Sequence, residues 1–321
     1  MSSTSAPPTP ATISDLLTLV ITTSPTPSAP STELLDAVFQ SIRLHCADLL
    51  LCRIIVVLDT FERISEVARL KKGQVTEEGA RDFLRYTDNV KDLVLGTYGQ
   101  LDSKDELIKG QGEAEYGYNG RAASVTTNVA TYTVSRTQDH RVTFVEPSER
   151  LGFGLAVRTA LRITATPYVW IHQHDWTLVY DIPLAPMLDV MKTNDADEEG
   201  PHDFIPRSCP TTKVPLTPMF FWHDKPHVAS TQHYLSRVFP TRLAIPRGAF
   251  IEDTIGHRAR TQMKEQGMWS RWGCWLFYPD EGKQLCLRHL DGRRWRGAEA
   301  EITIKVLYKQ ARGEKKTIDS D

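Results

Sequence analysis

The feature that most limits the fold of this chain is an alternation. A short, continuously apolar run meets a polar stop, then gives way to a longer segment with apolar residues at helical spacing. The run over 16–23 is rich in Leu, Ile and Val and ends in Thr22 and Thr23, and that over 53–58 is Ile, Val and Leu after Arg53, as strands buried on both faces require. Runs over 142–145 and 167–172 read the same way. Between them, Leu34, Leu35, Val38, Phe39 and Ile42 keep helical spacing behind a Ser31 or Thr32 cap. Phe83, Tyr86, Val90 and Val94 do so within 77–95, and further helices are expected over 152–163 and 181–192. Strands alternating with helices predict an α/β fold with a mostly parallel sheet flanked by helices.

The remainder is less regular. Residues 98–140 are rich in Gly, Thr and Ser and read as an irregular insertion with a strand at 131–135. Residues 201–308 hold many aromatic residues and prolines, short strands and one good helix at 254–266; the tetrapeptide W-L-F-Y at 275–278 is expected in the core. The organisation read from this is a flexible tail over 1–14, a single domain over 15–308 and a flexible tail over 309–321. Within the domain, halves at 15–192 and 201–308 are joined through an acidic loop at 194–200.

Charge and cysteine usage narrow the function. Lys plus Arg total 38 against 40 for Asp plus Glu, a net charge of −2, which leaves no basic footprint for nucleic acid. Cys46, Cys52, Cys209, Cys274 and Cys286 contain no Cys-x-x-Cys pair, so free thiols and a reducing compartment are expected rather than a zinc ribbon. The N-terminus lacks the basic start and apolar core of a secretory signal. No apolar run approaches the roughly 20 residues of a membrane span. The expectation is a soluble, cytoplasmic protein without a transmembrane segment.

In open parallel sheets, ligands bind beyond the carboxyl ends of the strands. That singles out Thr22, Thr23 and Ser24, then Asp59, then Gln173, His174 and Asp175. Residues 150–176 read R-L-G-F-G-L-A-V-R-T-A-L-R-I-T-A-T-P-Y-V-W-I-H-Q-H-D-W: a glycine-marked turn, a helix carrying Arg158, a Thr-Pro break, a strand and a polar cluster. This order resembles glycosyltransferase family 2 and its GT-A-fold relatives, where a glycine, an Ala-Arg-Asn helix, a Tyr-led strand and an Asp-x-Asp motif follow one another. Here the motif reads Gln-His-Asp, with Gln173 at the first aspartate position and Asp175 at the second. Upstream, L-T-L-V-I-T-T-S resembles the family's first strand and nucleotide loop, and I-I-V-V-L-D, ending at Asp59, its second strand. Downstream, F-I-E-D at 250–253 resembles the Glu-Asp motif, and L-R-H-L-D-G-R places His289 at a late metal-binding histidine. The likeness covers about residues 15–295 in order.

The resemblance implies a GT-A-type, Rossmann-like nucleotide-sugar half and an irregular, aromatic-rich acceptor half. It implies inverting transfer of a sugar from a UDP- or GDP-sugar to an acceptor hydroxyl on a glycan, lipid or protein. Asp253, beside Glu252, would be the general base. Asp175 and His289 would hold Mn²⁺ or Mg²⁺, and Thr22, Thr23, Ser24, Asp59, Arg158, Gln173 and His174 would line the donor. The chemistry needs such groups: charge grows on the leaving diphosphate and must be neutralised, and a carboxylate must take the acceptor proton. One motif carboxylate can suffice, because magnesium is often held by one or two carboxylates plus substrate phosphates.

Trp222, Asp224 and His227 in F-F-W-H-D-K-P-H, with Trp272, are assigned to the acceptor side. A zinc-peptidase reading of His223 and His227 fails, since Asp224 replaces the required glutamate and Pro226 breaks the helix. Two other readings stay open: a non-catalytic nucleotide-sugar or carbohydrate-binding protein, motivated by Gln173, and a nucleotidylyltransferase. The latter's lysine-bearing Gly/Arg-rich loop is replaced here by T-T-S-P-T-P-S-A-P-S.

Overall fold

The principal elements of the computed structural model, which describes residues 12–117, 128–196, 214–241, 244–265 and 268–303, follow from these patterns. In chain order they begin with β1 (Leu17–Thr23), α1 (Glu33–His45), β2 (Arg53–Leu58), α2 (Glu77–Thr97), β3 (Ile108–Glu115), β4 (Val129–Arg136), β5 (Val142–Pro147) and α3 (Phe153–Ile163). They continue with β6 (Tyr168–Gln173), β7 (Trp176–Leu178), α4 (Leu184–Ala196), β8 (Leu216–Pro218), β9 (His227–Ser230), α5 (His257–Met263), β10 (Trp275–Phe277) and β11 (Leu287–His289). A π-helical turn, Glu252–Gly256, leads directly into α5.

The main sheet has seven strands in the order β9-β6-β1-β2-β5-β4-β3. The pairings β6–β1, β1–β2 and β2–β5 are parallel, and only β9 and β4 run against the other strands. β1 is buried at every position, as a run apolar on both faces demands. One face turns Leu19, Ile21, Val56 and Phe144 towards α1 and α2. The other turns Val20, Ile55, Val57 and Val145 towards α3 and an aromatic cluster of Trp222, Tyr234 and Trp272.

The helix caps show local chemistry at work. Thr76 Oγ1 accepts the Gly79 amide at 3.1 Å and starts α2. At α1 the Ser31 hydroxyl accepts the Glu33 amide at 3.2 Å, while the Thr32 side chain makes no capping bond. α4 starts only after Pro183, three residues past the expected position.

Two expectations are corrected. Within 98–140 the described residues are not irregular: β3 and β4, the latter containing the expected strand at 131–135, form an antiparallel pair that widens the main sheet. I-K-G-Q-G-E-A-E hides its strand character because most of its side chains are exposed at a sheet edge. Residues 275–278 are not core. β10 pairs with β8 in a two-stranded surface ribbon, leaving Leu276 42% and Tyr278 43% exposed. The expected helix over 254–266 is the π-helical turn plus α5, and the expected N-terminal tail contains a short helix, Ile13–Leu16. Residues 1–11, residues 197–200 of the acidic loop, Cys209, residue 266 and the C-terminal tail lie outside the described residues. Cys46, Cys52, Cys274 and Cys286 are free thiols. Among the described residues, no helix is long and apolar enough to cross a membrane.

Phe144 is fully buried on β5, whereas Leu44 is 74% exposed on α1. Phe144→Ala is therefore expected to lower unfolding free energy by about 3–5 kcal/mol in urea denaturation, and Leu44→Ala by less than about 0.5 kcal/mol. Equal losses would contradict this packing.

Candidate functional site

β1 meets β2 on one edge and β6 on the other. The chain beyond β1 crosses to β2 first and reaches β6 only after α3, so the strand order reverses there, the place where open parallel sheets bind ligands beyond the carboxyl ends. Thr22 lies opposite Gln173, and its carbonyl accepts the His174 amide at 3.1 Å. Thr23 Oγ1 bridges the Tyr86 hydroxyl at 2.7 Å and His174 Nδ1 at 2.6 Å. The Ser24 amide also donates to Nδ1, at 3.3 Å, so the neutral ring carries its proton on Nε2. Burial lowers the His174 pKa. Thr22, Thr23, Ser24 and His174 thus lie together, with the Thr23 hydroxyl and His174 Nδ1 already engaged in holding the strand ends together.

Asp175, in the turn after β6, is 8% exposed. Its Oδ2 accepts from His289 Nε2 at 3.1 Å and from the Gly292 amide at 3.1 Å. The β7–β11 ladder brings His289 there by setting it opposite Trp176, 114 residues being spanned between Asp175 and His289. A Cβ on Gly292 would lie 3.0 Å from Oδ2 and 2.9 Å from His174 Nε2, so glycine permits this approach. Burial raises the Asp175 pKa, but the His289 bond, the His174 and His289 charges and the Gly292 amide outweigh it and bring it to about 2. The same bond raises the His289 pKa. Among the described residues, Asp175 Oδ1 is buried without a partner.

Two short paths tie Asp175 to the acidic segment ahead of α5. Along the first, Gln173 Nε2 donates to the Asp224 carbonyl at 2.8 Å. The Asp224 amide donates to Glu252 Oε2 at 3.2 Å, and the Glu252 amide returns a bond to Asp224 Oδ1 at 3.2 Å. Along the second, the Arg293 guanidinium lies 5.4 Å from the Phe250 ring centre, and its charge reaches His174 and His289. Phe250 stacks on Phe153 at 5.9 Å, at the start of α3. Asp224 is 5% exposed, and burial, with the Glu252 and Asp253 charges adding, raises its pKa to about 8. Its Oδ2 has no partner among the described residues. Asp253 is exposed, one residue along the π-helical turn from half-buried Glu252.

Several assigned residues are corrected to structural roles. Asp59 accepts the Leu151 and Gly152 amides at 2.6 and 2.9 Å, so both oxygens anchor the turn into α3. Gly152 adopts φ +78°, and a Cβ there would sit 2.4 Å from Gly248 Cα. Arg158 is buried in α3 and donates to the Glu115 carbonyl at 2.6 Å, on the side of β3 rather than of Asp175. Trp222 and Trp272, 7% and 2% exposed, pack edge to face within the core. His227 donates from Nδ1 to the Lys225 carbonyl at 2.6 Å and stacks on Tyr234, burial lowering its pKa to about 4. Gln173 Nε2 braces the Asp224 loop.

Arg293 is the group that sequence reasoning missed. Its only signal was its place as the last residue of the L-R-H-L-D-G-R stretch that carries His289. A cavity of about 660 Å³ lined by His45, Tyr180, Pro183 and Phe277 contains none of these carboxylates. Among the described residues, no set of three or more His, Cys, Asp or Glu side chains is gathered to hold a metal ion unaided. No protein-family model matches this chain, and no curated protein matches it in sequence.

The Asp175–His289 pair has a defined pH window. A lowered acid pKa contributes stability above the ordinary 3.8 that is lost as pH falls towards 2. A raised histidine pKa contributes below 6.5 and loses its effect as pH rises through the shifted value. Asp175→Asn should cost about 1–2 kcal/mol near pH 5 and progressively less towards about pH 2, read by denaturant titration. A deficit independent of pH would show that the contact is not ionic.

Proposed function

We propose that this chain is a glycosyltransferase of GT-A type that transfers a sugar from a nucleotide-diphosphate donor to an acceptor hydroxyl. The observation carrying this reading is Asp175: a buried, ionised carboxylate beyond the switch-point strands, with His289 against one oxygen and the other oxygen unpartnered among the described residues. The unpartnered oxygen fits a divalent cation that arrives with the donor, since the side chains gathered here would need diphosphate oxygens to complete its coordination. Asp175 Oδ1 would hold that ion, joined by His289 once it has released the proton it gives Asp175, and the ion's charge would offset that of the leaving diphosphate. Arg293 offers a second positive charge, and its planar fork suits phosphate oxygens. The strand order, with β1 between its two parallel neighbours, supports a nucleotide-sugar half of the kind the resemblance implies.

The acceptor proton falls to the Glu252–Asp253 pair. Asp253 is exposed and can meet an incoming hydroxyl, while Glu252 fixes the loop at Asp224. Asp253→Asn is expected to lower turnover by about 10²-fold or more with donor binding retained. Nucleotide diphosphates should raise the melting temperature more with Mn²⁺ than without it. Asp175→Ala should remove the metal-dependent part of that rise, and Arg293→Ala should weaken nucleotide binding about tenfold. Failure of every nucleotide diphosphate and nucleotide sugar to shift the melting temperature would end the proposal.

One observation favours a second reading. Asp175 Oδ2 is already held by His289 and Gly292, and Gln173 is committed to Asp224, an arrangement also suited to a non-catalytic nucleotide-sugar-binding protein. Saturable donor binding without hydrolysis or transfer across a donor and acceptor panel would select it.

A further inference from the structure

β3 ends the main sheet, and its hydrogen-bonding pattern shows which backbone groups face outward. The Tyr116 amide bonds the Asn128 carbonyl in register with the β3–β4 pairing. Antiparallel strands alternate bonded and non-bonded pairs, so the even-numbered residues of β3 face β4 and the odd-numbered ones face outward. Two contacts on the outer side agree: the Glu115 carbonyl accepts from Arg158, and the Gly117 amide donates to the Ile245 carbonyl. These cover one end of the edge. Along the rest, Lys109, Gln111 and Glu113 are exposed, and among the described residues none bonds their outward amides or carbonyls. An open edge of this kind is a template for another strand.

The side chains specify which strand. In an antiparallel pairing with an identical strand centred on Gln111, Lys109 lies opposite Glu113 of the other copy, Gln111 opposite Gln111, and Glu113 opposite Lys109. Each outward residue then faces another outward residue, as a bonded pair requires, and opposite charges meet at both ends of the window. Centring one residue later calls on the Glu115 carbonyl, which Arg158 occupies. Centring one residue earlier sets Glu113 opposite Leu107 and leaves the charges unmatched. The free window is used in full, with charges paired, in the first register.

We propose that β3 is a homodimerisation edge, pairing two copies of this chain about a two-fold axis at Gln111. The contact is isologous, and the two main sheets become one. Because the paired β3 strands run in opposite directions, the two Asp175 sites face opposite rims. The window is short, so the dimer is weak and concentration-dependent.

Sedimentation equilibrium of the full chain from about 10 µM to about 1 mM should show a reversible monomer–dimer equilibrium. Gln111→Pro removes an outward amide that the monomer does not use and should raise the dimer dissociation constant at least about tenfold. Lys109→Glu and Glu113→Lys each place like charges opposite one another and should weaken the dimer, while the double exchange restores it. Circular dichroism and unchanged melting temperatures confirm that the variants are folded. A wild-type chain that stays monomeric over this range, or a dimer indifferent to both Gln111→Pro and the charge exchange, overturns the proposal.

Discussion

Because β1 is covered on both faces, its backbone groups can be satisfied only along its two edges. It therefore needs a partner strand on each side, and β2 and β6 fill those positions in parallel. Parallel neighbours require crossovers, so the helices are driven onto the faces and the loops onto the carboxyl ends. The convergence of Thr23, His174 and Asp175 follows from this demand. The long separations between Asp175, Glu252 and His289 are then closed by small ladders and single hydrogen bonds added around the rim.

Three buried aspartates meet the same energetic conflict in different ways. A buried carboxylate must be neutralised, hydrogen-bonded or paired. Asp59 spends both oxygens on backbone amides, and burial still raises its pKa to about 6. Asp175 has a histidine and an amide and is driven strongly acidic. Asp224 has one oxygen bonded to a backbone amide and two carboxylates nearby, and its pKa rises to about 8. The rim thus holds an ionised carboxylate and a proton-retaining one, connected through the single side chain of Gln173.

The strands legible in the sequence were those whose environment is uniform. β1, β2, β5 and β6 are buried on both faces, and uniform burial writes an unbroken apolar run. β3 could not be read, because an exposed edge strand carries lysine, glutamate and two glycines. Among the site residues, the cluster at the end of β6 was legible because strand ends are marked by the change from apolar to polar. The fates of Trp222, Trp272 and His227 were not, because a tryptophan stacking on a ligand and one packed in a core have the same local sequence. Asp59 misled for a related reason: a polar stop marks where a strand ends, not whether its side chain faces a ligand or a backbone amide.

The orphaned oxygens bear most directly on function. A buried oxygen left without a donor costs roughly 1–3 kcal/mol, more if charged, and among the described residues Asp175 Oδ1 and Asp224 Oδ2 both stand in that condition. If stability alone had shaped this rim, an asparagine or an apolar residue would serve better at either position. The two sites differ in what would relieve them. Asp175 is ionised, so a cation or a hydrogen-bond donor satisfies Oδ1. Asp224 keeps its proton near neutrality, so its orphaned oxygen can donate as well as accept. A ligand spanning both would have a cationic or donor group at one end and a polar, uncharged group within reach of the other. A cation-bound diphosphate carrying a sugar has that polarity.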